Sequence, residues 1–269
     1  MKSKREDFGN IVYSCYTQVS RQGEHFVSDH VLSYQIAGDL VLNDGINDYS
    51  ATDGTIRFLR RNQLLKFIKQ PPAVGGDFKS LSIYLGQQIL KDFSLEYGLT
   101  SEKKCFDHSL LLLTDSSLLQ NFMQTLLIYQ FSDQLSDSRL VELKVKEALI
   151  LLLQEKPELK DILFDFNEPG KLDIEAFMNK NYHFNVNLDR FAYLTGRSLA
   201  TFKRDFEKIF GISPGKWLLK KRLQEAHYLL EKGRMASDIY LDLGFEDLSH
   251  FSFAFKKLYG LSPSKIIST

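Results

Sequence analysis

The chain has 269 residues, 43% of them hydrophobic and 25% charged, with 34 basic side chains balancing 34 acidic ones. This composition indicates a folded, water-soluble protein made of one large domain or two ordinary ones. Its longest apolar stretches are too short to cross a bilayer and no secretory signal is visible, which argues against a membrane-spanning or exported protein.

The balanced total conceals an asymmetry of charge along the chain. Residues 1–170 hold 18 Lys and Arg against 23 Asp and Glu, whereas residues 171–269 hold 16 against 11. A basic C-terminal third favours a polyanion-binding module joined to a different N-terminal part. Cys15 and Cys105 have no metal-type spacing, so we interpret both as free thiols in a reducing compartment.

The N-terminal part, from Ile11 to about Leu113, has the pattern of short strands. Segments such as "HVLSYQIAGDLVLNDG" alternate apolar and polar residues and end in turn signals, which is typical of half-buried strands. Several such segments predict a small β-sandwich or open barrel. A short helix from Gln87 to about Tyr97 is expected to interrupt it.

Two longer helices follow the strands. The first has N-cap candidates at Asp115, Ser116 and Ser117, and the second is ended by Pro157. Apolar residues cover more than half of the second helix, which predicts burial on two sides. One side belongs to its own domain, and the other is either internal core or the contact with a second copy. We therefore predict a homodimer through a helical hairpin at about 116–156.

The C-terminal third contains an internal repeat at an offset of 49 residues. The matched positions are Leu199 and Leu248, Phe202 and Phe251, Phe206 and Phe255, Lys208 and Lys257, Gly211 and Gly260, and Ser213-Pro214 and Ser262-Pro263. The apolar positions fall on one face of a helix of about three turns. The glycine supplies the left-handed residue after the helix, and the Ser-Pro pair predicts the start of another helix.

A shorter helix precedes each copy of the repeat. "LDRFAYLTG" and "ASDIYLDLGF" end at Gly196 and just after Gly244, and a short helix, a glycine turn and a second helix form a helix-turn-helix. A helix from Pro214 to about Leu230 joins the two units. A plain helical bundle would explain one such unit, but two at a fixed offset in a basic segment favour nucleic-acid binding.

Residues 173–269 resemble the DNA-binding domain of the AraC/XylS class of bacterial transcription regulators. The features that carry the resemblance are "FAYLTGRSLATFKRDFEKIFGISPGKWLLKKRLQEAHYLL" and "ASDIYLDLGFEDLSHFSFAFKKLYGLSP". The segments "RRNQLLKFIKQPP" and "GGDFKSLSIYL" are similar to the cupin-type domain of the ExsA-like branch. The resemblance implies an α+β multidomain fold, with a cupin-like regulatory and dimerisation domain at 1–168 and a DNA-binding domain at 169–269. Its helix-turn-helix units are expected at about 188–210 and 236–259.

The outward faces of the two repeated helices supply the predicted DNA contacts. Arg204 can pair with guanine in the major groove, Lys203 with a base or a phosphate, and Ala200 and Thr201 with thymine methyl groups. The predicted set comprises Arg197, Ser198, Ala200, Thr201, Lys203, Arg204 and Lys208 in the first unit, and Ser249, His250, Ser252, Phe253, Lys256 and Lys257 in the second.

The second unit is expected to read sequence weakly. Members of the resembled class often carry arginine where this chain has Phe253, and phenylalanine cannot donate to a base. The ring is left to contact a thymine methyl, a sugar or the protein, while Lys256 and Lys257 bind phosphates. Two units together would reach successive major-groove segments about 34 Å apart.

The sequence predicts neither an enzyme nor a cofactor for the N-terminal part. No nucleophile elbow, phosphate loop or HExxH motif occurs, and His25, His30 and His108 are too few and too scattered for a metal site. This part is expected to bind either a small effector or a regulatory protein.

The whole chain is therefore interpreted as a dimeric, DNA-binding transcription regulator, with activation favoured over repression. The resemblance implies promoter DNA and RNA polymerase as partners, and a cytoplasmic, nucleoid-associated place in a bacterial cell. The alternatives are a regulator controlled without an effector or by a partner protein, and a helical module that binds a protein instead of DNA.

Overall fold

Strands form most of residues 4–85, and helices form most of the described chain from Gln87 onward. The structure is a computed structural model, and it describes residues 4–21, 25–102, 110–113 and 116–266. Cys105, His108 and Asp115, named above, lie outside these residues. The expected combination of an N-terminal sheet-rich domain and a C-terminal helical domain is confirmed.

Eleven strands within the described residues build the N-terminal domain. They are β1 Lys4–Asp7, β2 Ile11–Tyr16, β3 Phe26–Val27, β4 His30–Ala37, β5 Asp39–Asn43, β6 Asp48–Ala51, β7 Ile56–Leu59, β8 Gln63–Leu64, β9 Lys66–Gln70, β10 Phe78–Leu85 and β11 Leu110–Leu112. The large sheet has the order β1-β2-β10-β4-β7-β11, a second sheet has the order β6-β5-β9, and β3 pairs with β8. All of these pairs are antiparallel.

The large sheet is covered on both faces, which follows from the alternation of side chains along its strands. In β10, Leu81 and Ile83 belong to a core shared with the helices. Phe78 belongs to a second core shared with Leu40 and Leu42 of β5. The sheet therefore separates a helix-packed side from a side closed by the second sheet, as in a sandwich.

Helices α1 Gln87–Tyr97, α2 Ser117–Phe131, α3 Ser138–Glu155 and α4 Lys160–Leu163 pack on the first side. The bounds of α1 agree with the sequence prediction. Ser116 caps α2 by accepting the amide hydrogen of Leu119 at 3.1 Å. Helix α3 ends two residues before Pro157, as expected because proline cannot donate a helical hydrogen bond.

The helical domain consists of α5 Ile174–Asn181, α6 Leu188–Leu194, α7 Leu199–Phe210, α8 Pro214–Glu231, α9 Ala236–Ile239 and α10 Leu248–Tyr259. It has one apolar core for each helix-turn-helix unit. The linker helix α8 contributes to both, because Leu218 belongs to the first core while Leu223 and Leu230 belong to the second. The two units are thus built on one continuous helix of 18 residues.

Two elements of the second unit are shorter than their counterparts in the first. The segment "ASDIYLDLGF" forms only the single turn of α9, and the chain then turns through Gly244, which has a φ of +82°. Ser262-Pro263 begins a 3₁₀ helix of three residues, Pro263–Lys265, whereas Ser213-Pro214 begins all of α8. The repeat therefore covers the two long helices better than the elements around them.

None of the described helices combines the length and the apolar composition that crossing a bilayer requires.

Candidate nucleic-acid interface

The two repeated helices, α7 and α10, begin and end with the same devices. The Oγ of Ser198 accepts the amide hydrogen of Thr201, and the Oδ1 of Asp247 accepts that of His250. At the other ends, Gly211 and Gly260 have φ values of +70° and +76°, which glycine adopts without steric cost. Both helices have 12 residues, so equivalent side chains occupy equivalent places on them.

Helix α7 presents a polar face opposite its buried side. Phe202 and Phe206 are fully buried in the first core, while Lys203 and Arg204 are exposed. The side chain of Arg204 is 64% exposed, and its guanidinium lies 3.4 Å from the carboxylate of Asp205. The exposed Ala200 and Lys208 and the half-buried Thr201 complete the predicted set on this helix.

Arg197 and Ser198 have roles inside the protein. The guanidinium of Arg197 donates to the carbonyls of Thr195 and Leu172 at 2.6 and 2.9 Å, and it lies 3.3 Å from Asp205. Its side chain is only 14% exposed. The hydroxyl of Ser198 is the cap of α7. The Nε and Nη1 donors of Arg197 are thus engaged within the protein, and its contact with DNA stays a prediction.

Helix α10 has the same arrangement with different chemistry. Phe251 and Phe255 are fully buried in the second core. Ser249, His250 and Phe253 are exposed on the opposite side, and Ser252 is half-buried. Lys256 and Lys257 are also exposed. The structure thus brings the predicted residues of this unit together on one outward surface.

Four of the predicted lysines form no ion pair with the residues that the structure describes. Within the described ranges, no carboxylate lies at ion-pair distance from Lys203, Lys208, Lys256 or Lys257. Exposed ammonium groups without an ion-pair partner attract anions, and a DNA phosphate is one anion that they can bind.

Arg222, in the linker helix α8, connects the two units. Its guanidinium donates to the carbonyls of Tyr182 and Phe184 at 2.7 and 2.8 Å, and to that of Gly244 at 2.8 Å. The first two carbonyls precede α6 in the first unit, and the third lies in the turn before α10. Burial lowers the pKa of Arg222 to about 10, so it stays charged at neutral pH. One side chain therefore fixes the turns of both units to the same helix.

Two family models match the chain. A helix-turn-helix domain matches residues 191–268, and an ExsA N-terminal regulatory domain matches residues 30–162. The chain belongs to the AraC family of DNA-binding transcription regulators.

Several AraC-family relatives are similar over most of their length. The regulator ExsA of Pseudomonas aeruginosa is 26% identical over 240 residues, covering 86% of this chain and 83% of that protein. The thermoregulatory protein LcrF of Yersinia pestis is 29% identical over 257 residues, covering 91% and 89%. The virulence regulon transcriptional activator VirF of Yersinia enterocolitica is 29% identical over 260 residues, covering 93% and 92%.

In this AraC-family chain, the N-terminal domain packs directly on the first helix-turn-helix unit. Phe26 of β3 and Leu64 of β8 are buried in the same core as Phe191 and Phe202. The guanidinium of Arg190 lies 4.5 Å from the centroid of the Phe26 ring. Strand β3, which has only two residues, therefore contributes to the core that supports α7.

Polar contacts extend this interface between the two domains, which we call the seam, toward the second unit. The Nδ1 atom of His25 accepts the amide hydrogen of Asn185 at 3.0 Å, and Lys66 donates to the carbonyl of Asp242 at 2.5 Å. Burial lowers the pKa of His25 to about 4 and that of Lys66 to about 8. A cavity of about 1160 Å³ lies beside these contacts and is lined by both domains.

Two of the histidines considered as metal ligands, His25 and His30, accept backbone amide hydrogens inside the fold. The Nδ1 atom of His30 accepts the amide hydrogen of Arg61, and burial lowers the pKa of His30 to about 3. His25 is part of the seam. In the part of the chain that the structure describes, no three His, Cys, Asp or Glu side chains form a group suited to a metal ion.

Sequence reasoning missed the seam and Arg222. Phe26 and Leu64 lie in very short strands, and nothing in their spacing marks them as partners of a domain more than 100 residues away. Arg222 stands in a run of basic residues, "KKR", which has the pattern of a solvated helix face. The sequence indicates the role of Arg222 only through Gly244, because a glycine before a helix predicts a turn whose carbonyl needs a hydrogen-bond donor.

Proposed function

We propose that this chain is a sequence-specific transcription activator that reads two successive major-groove segments with α7 and α10. One observation carries the proposal: equivalent outward positions of two repeated helices are exposed, and Arg222 holds both units on one linker helix. A fixed pair of exposed helices matches a duplex because its major groove recurs about every 34 Å along one flank.

The first unit supplies the stronger base contacts. Arg204 has the fork of donors that pairs with guanine O6 and N7, an interaction that contributes about 1–3 kcal/mol of discrimination. Asp205 lies 3.4 Å from its guanidinium, and this contact orients the side chain without burying it. Lys203 reaches a base or a phosphate, while Ala200 and Thr201 let the helix approach thymine methyl groups.

The second unit places fewer charged groups at the bases. Ser249, His250, Ser252 and Phe253 face the groove, and Lys256 and Lys257 bind phosphates, together with Lys208 of the first unit. Phosphate contacts supply affinity and register without sequence information. Arg197 and Ser198 act indirectly, because they hold the turn and the first residues of α7 in place.

The proposal of activation is supported by the relatives, since VirF of Yersinia enterocolitica is named a transcriptional activator. An activator bound at a promoter acts on RNA polymerase, which we propose as the protein partner on DNA. Because its ligand is promoter DNA, the protein works in the bacterial cytoplasm, in association with the nucleoid. This function needs neither a cofactor nor catalysis.

A homodimer through the helical hairpin α2–α3 is part of the proposal. Its outer surface carries several exposed apolar side chains: Leu118, Ile128, Phe131, Leu143 and Ile150. Exposed apolar side chains on two adjacent helices support a protein interface there. Changing Leu143 to Glu should shift the protein from dimer to monomer in sedimentation experiments, whereas Val74→Glu, in an exposed loop, should leave the dimer intact. A Leu143→Glu variant that sediments like the wild-type protein contradicts this interface.

The N-terminal domain is proposed to regulate DNA binding, through either a small effector or a regulatory protein. The cavity between the domains supports the effector, and the match to a regulatory domain suits both. Thermal shift of the full chain against a metabolite library separates them, because an effector that binds only the folded state raises the melting temperature. The full chain is required because the seam would be exposed in an isolated domain.

Selection from random duplex DNA tests the proposed function. The wild-type protein should enrich sites with two conserved segments one helical turn apart. Arg204→Ala should lose about 5- to 150-fold in affinity for these sites and lose its preference at one guanine. Lys180→Ala is the matched control, because it removes one positive charge from an exposed place in the same domain. Unchanged affinity and preference in Arg204→Ala would favour a helical module that binds a protein instead.

A further inference from the structure

Phe253 occupies the same position in the second unit as Arg204 in the first. The offset of 49 residues that aligns the two helices aligns these two side chains. Each stands two residues after a buried phenylalanine of the core, Phe202 or Phe251. Because two residues span about 200° around a helix, both side chains leave the side opposite the core. The position from which the first unit is proposed to read a base is therefore filled by an aromatic ring in the second.

The ring of Phe253 is open to solvent. The residue is 70% exposed, whereas Phe251 and Phe255 of the same helix are fully buried. The residues four and three positions before it on the outer face, Ser249 and His250, are themselves exposed and do not cover the ring. A large apolar side chain exposed between groove-facing residues loses water contacts only when a partner covers it.

The surroundings of Phe253 indicate which partner that is. Lys256 and Lys257 follow it by three and four residues, so they flank it on the same side of α10. Both are exposed and basic. A protein surface that covered the ring would have to bury or pair these two charges, whereas a duplex offers phosphates to them and a groove to the ring.

The major groove contains one apolar group that distinguishes the bases, the 5-methyl group of thymine. Phenylalanine has no donor or acceptor, so it gains nothing from the polar edges of guanine, adenine or cytosine. We infer that Phe253 reads the methyl group of a thymine in the segment that α10 contacts. This inference rests on the proposed function and deepens it, because it assigns the second unit a base preference of its own where weak reading was expected.

The size of the effect follows from the area of one methyl group. Burial of one such group changes an equilibrium constant about fourfold. Replacing the thymine by deoxyuridine removes only this group and keeps every hydrogen-bonding atom of the base pair. The comparison therefore isolates the apolar contact.

The test uses the full chain and the duplexes that it selects from random DNA. Deoxyuridine replaces each thymine of the α10 segment in turn. Wild-type protein should lose about fourfold in affinity at one position, and Phe253→Ala should lose nothing further there. Cytosine at that position should weaken wild-type binding, and 5-methylcytosine should restore part of it, because it presents the same methyl group in the groove. Phe253→Arg should exchange the thymine preference for guanine.

Two controls make the outcome specific. Deoxyuridine in the α7 segment should affect wild-type protein and Phe253→Ala equally. Phe253→Leu should keep part of the methyl preference, because leucine retains an apolar contact. Circular dichroism should show the same helix content in all variants, since the ring is outside the core.

The inference is overturned if no thymine of the α10 segment is sensitive to deoxyuridine, or if Phe253→Ala is as sensitive as the wild-type protein. Loss of affinity that is equal for all bases at the contacted step would mean that the ring packs on a sugar, which also overturns it. If the wild-type protein selects no sequence at all, the proposed function itself fails, and the inference fails with it.

Discussion

Substitution of Arg222 should disturb the arrangement of α7 and α10 more directly than any other single change. The side chain of Arg222 donates three hydrogen bonds of 2.7 to 2.8 Å to carbonyls that belong to both units. Arg222→Met keeps most of the length and apolar volume of the side chain but removes all three donors. Arg222→Lys keeps the charge but cannot hold three carbonyls in a planar fork.

The expected cost follows from the bonds that are lost. A hydrogen bond to a charged group contributes about 1.5–3 kcal/mol to stability, and three such bonds give a gross loss of roughly 4.5–9 kcal/mol. Burial disfavours the charge, as the lowered pKa of Arg222 shows, and removing the charge recovers this part. A net loss of about 2–4 kcal/mol is therefore expected for Arg222→Met, with a smaller loss for Arg222→Lys.

Two measurements check this expectation. Urea unfolding followed by circular dichroism gives the loss of stability, with Lys220→Met as the control on an exposed position of the same helix. Binding to duplexes with one base pair inserted between the two segments gives the coupling. Wild-type protein should lose most of its affinity for the altered spacing, whereas Arg222→Met should bind the selected site more weakly but discriminate less between the two spacings.

A free energy of unfolding for Arg222→Met within about 0.5 kcal/mol of the wild-type value, which is the scatter of ordinary surface changes, would refute a role of Arg222 in joining the two units. That role is also refuted if the variant retains the full spacing preference. In either case, packing along α8 would hold the units without the side chain.

Three further predictions concern the seam and the charged surface. Lowering the pH from 7 to 5 should reduce the free energy of unfolding by about 1–2 kcal/mol for each of the buried histidines His25 and His183. Burial and Lys66 lower the pKa of His25 to about 4 and that of His183 to about 3, so only the unfolded chain binds protons in this range. Equal urea midpoints at the two pH values would contradict this. Phe26→Ala should speed proteolysis of the segment between the domains, because Phe26 is buried against the first unit. If Phe26→Ala and Val74→Ala are cleaved at the same rate, the packing of the two domains at Phe26 does not protect that segment. The logarithm of the DNA association constant should fall with the logarithm of salt concentration with a slope of about −4 or steeper, and Lys257→Ala should reduce the slope by about 1; a flat salt response would exclude phosphate contacts.

The local elements of this fold could be predicted from the sequence because their causes are local. The bounds of α1, the cap at Ser116 and the glycines after α7 and α10 follow from spacing and from the chemistry of single residues. The exposed positions of Lys203 and Arg204 follow from the same periodicity. The helix predicted in "ASDIYLDLGF" is longer than α9 because Ile239 of the helix and Leu243 of the following turn pack in one core with the same spacing as a helix.

The remaining features depend on contacts between distant parts of the chain. Arg197 has the composition of a DNA contact, but the carbonyls of Leu172 and Thr195 bind it once the turn has folded. Arg222 is similar, because its three acceptors lie 22 to 40 positions away. Strand β3 is only two residues long, and its partner core forms from residues after 170. No periodicity in a single sequence contains this information.

The shared core at β3 and β8 changes how a signal can pass between the domains. Phe26 of β3 and Leu64 of β8 belong to the core on which α7 packs. A movement of these two short strands therefore changes the packing under α7. Communication then needs no long relay of residues and no change in the linker. The two domains share one apolar core, so we expect any signal that acts on the N-terminal domain to work through local repacking of that core.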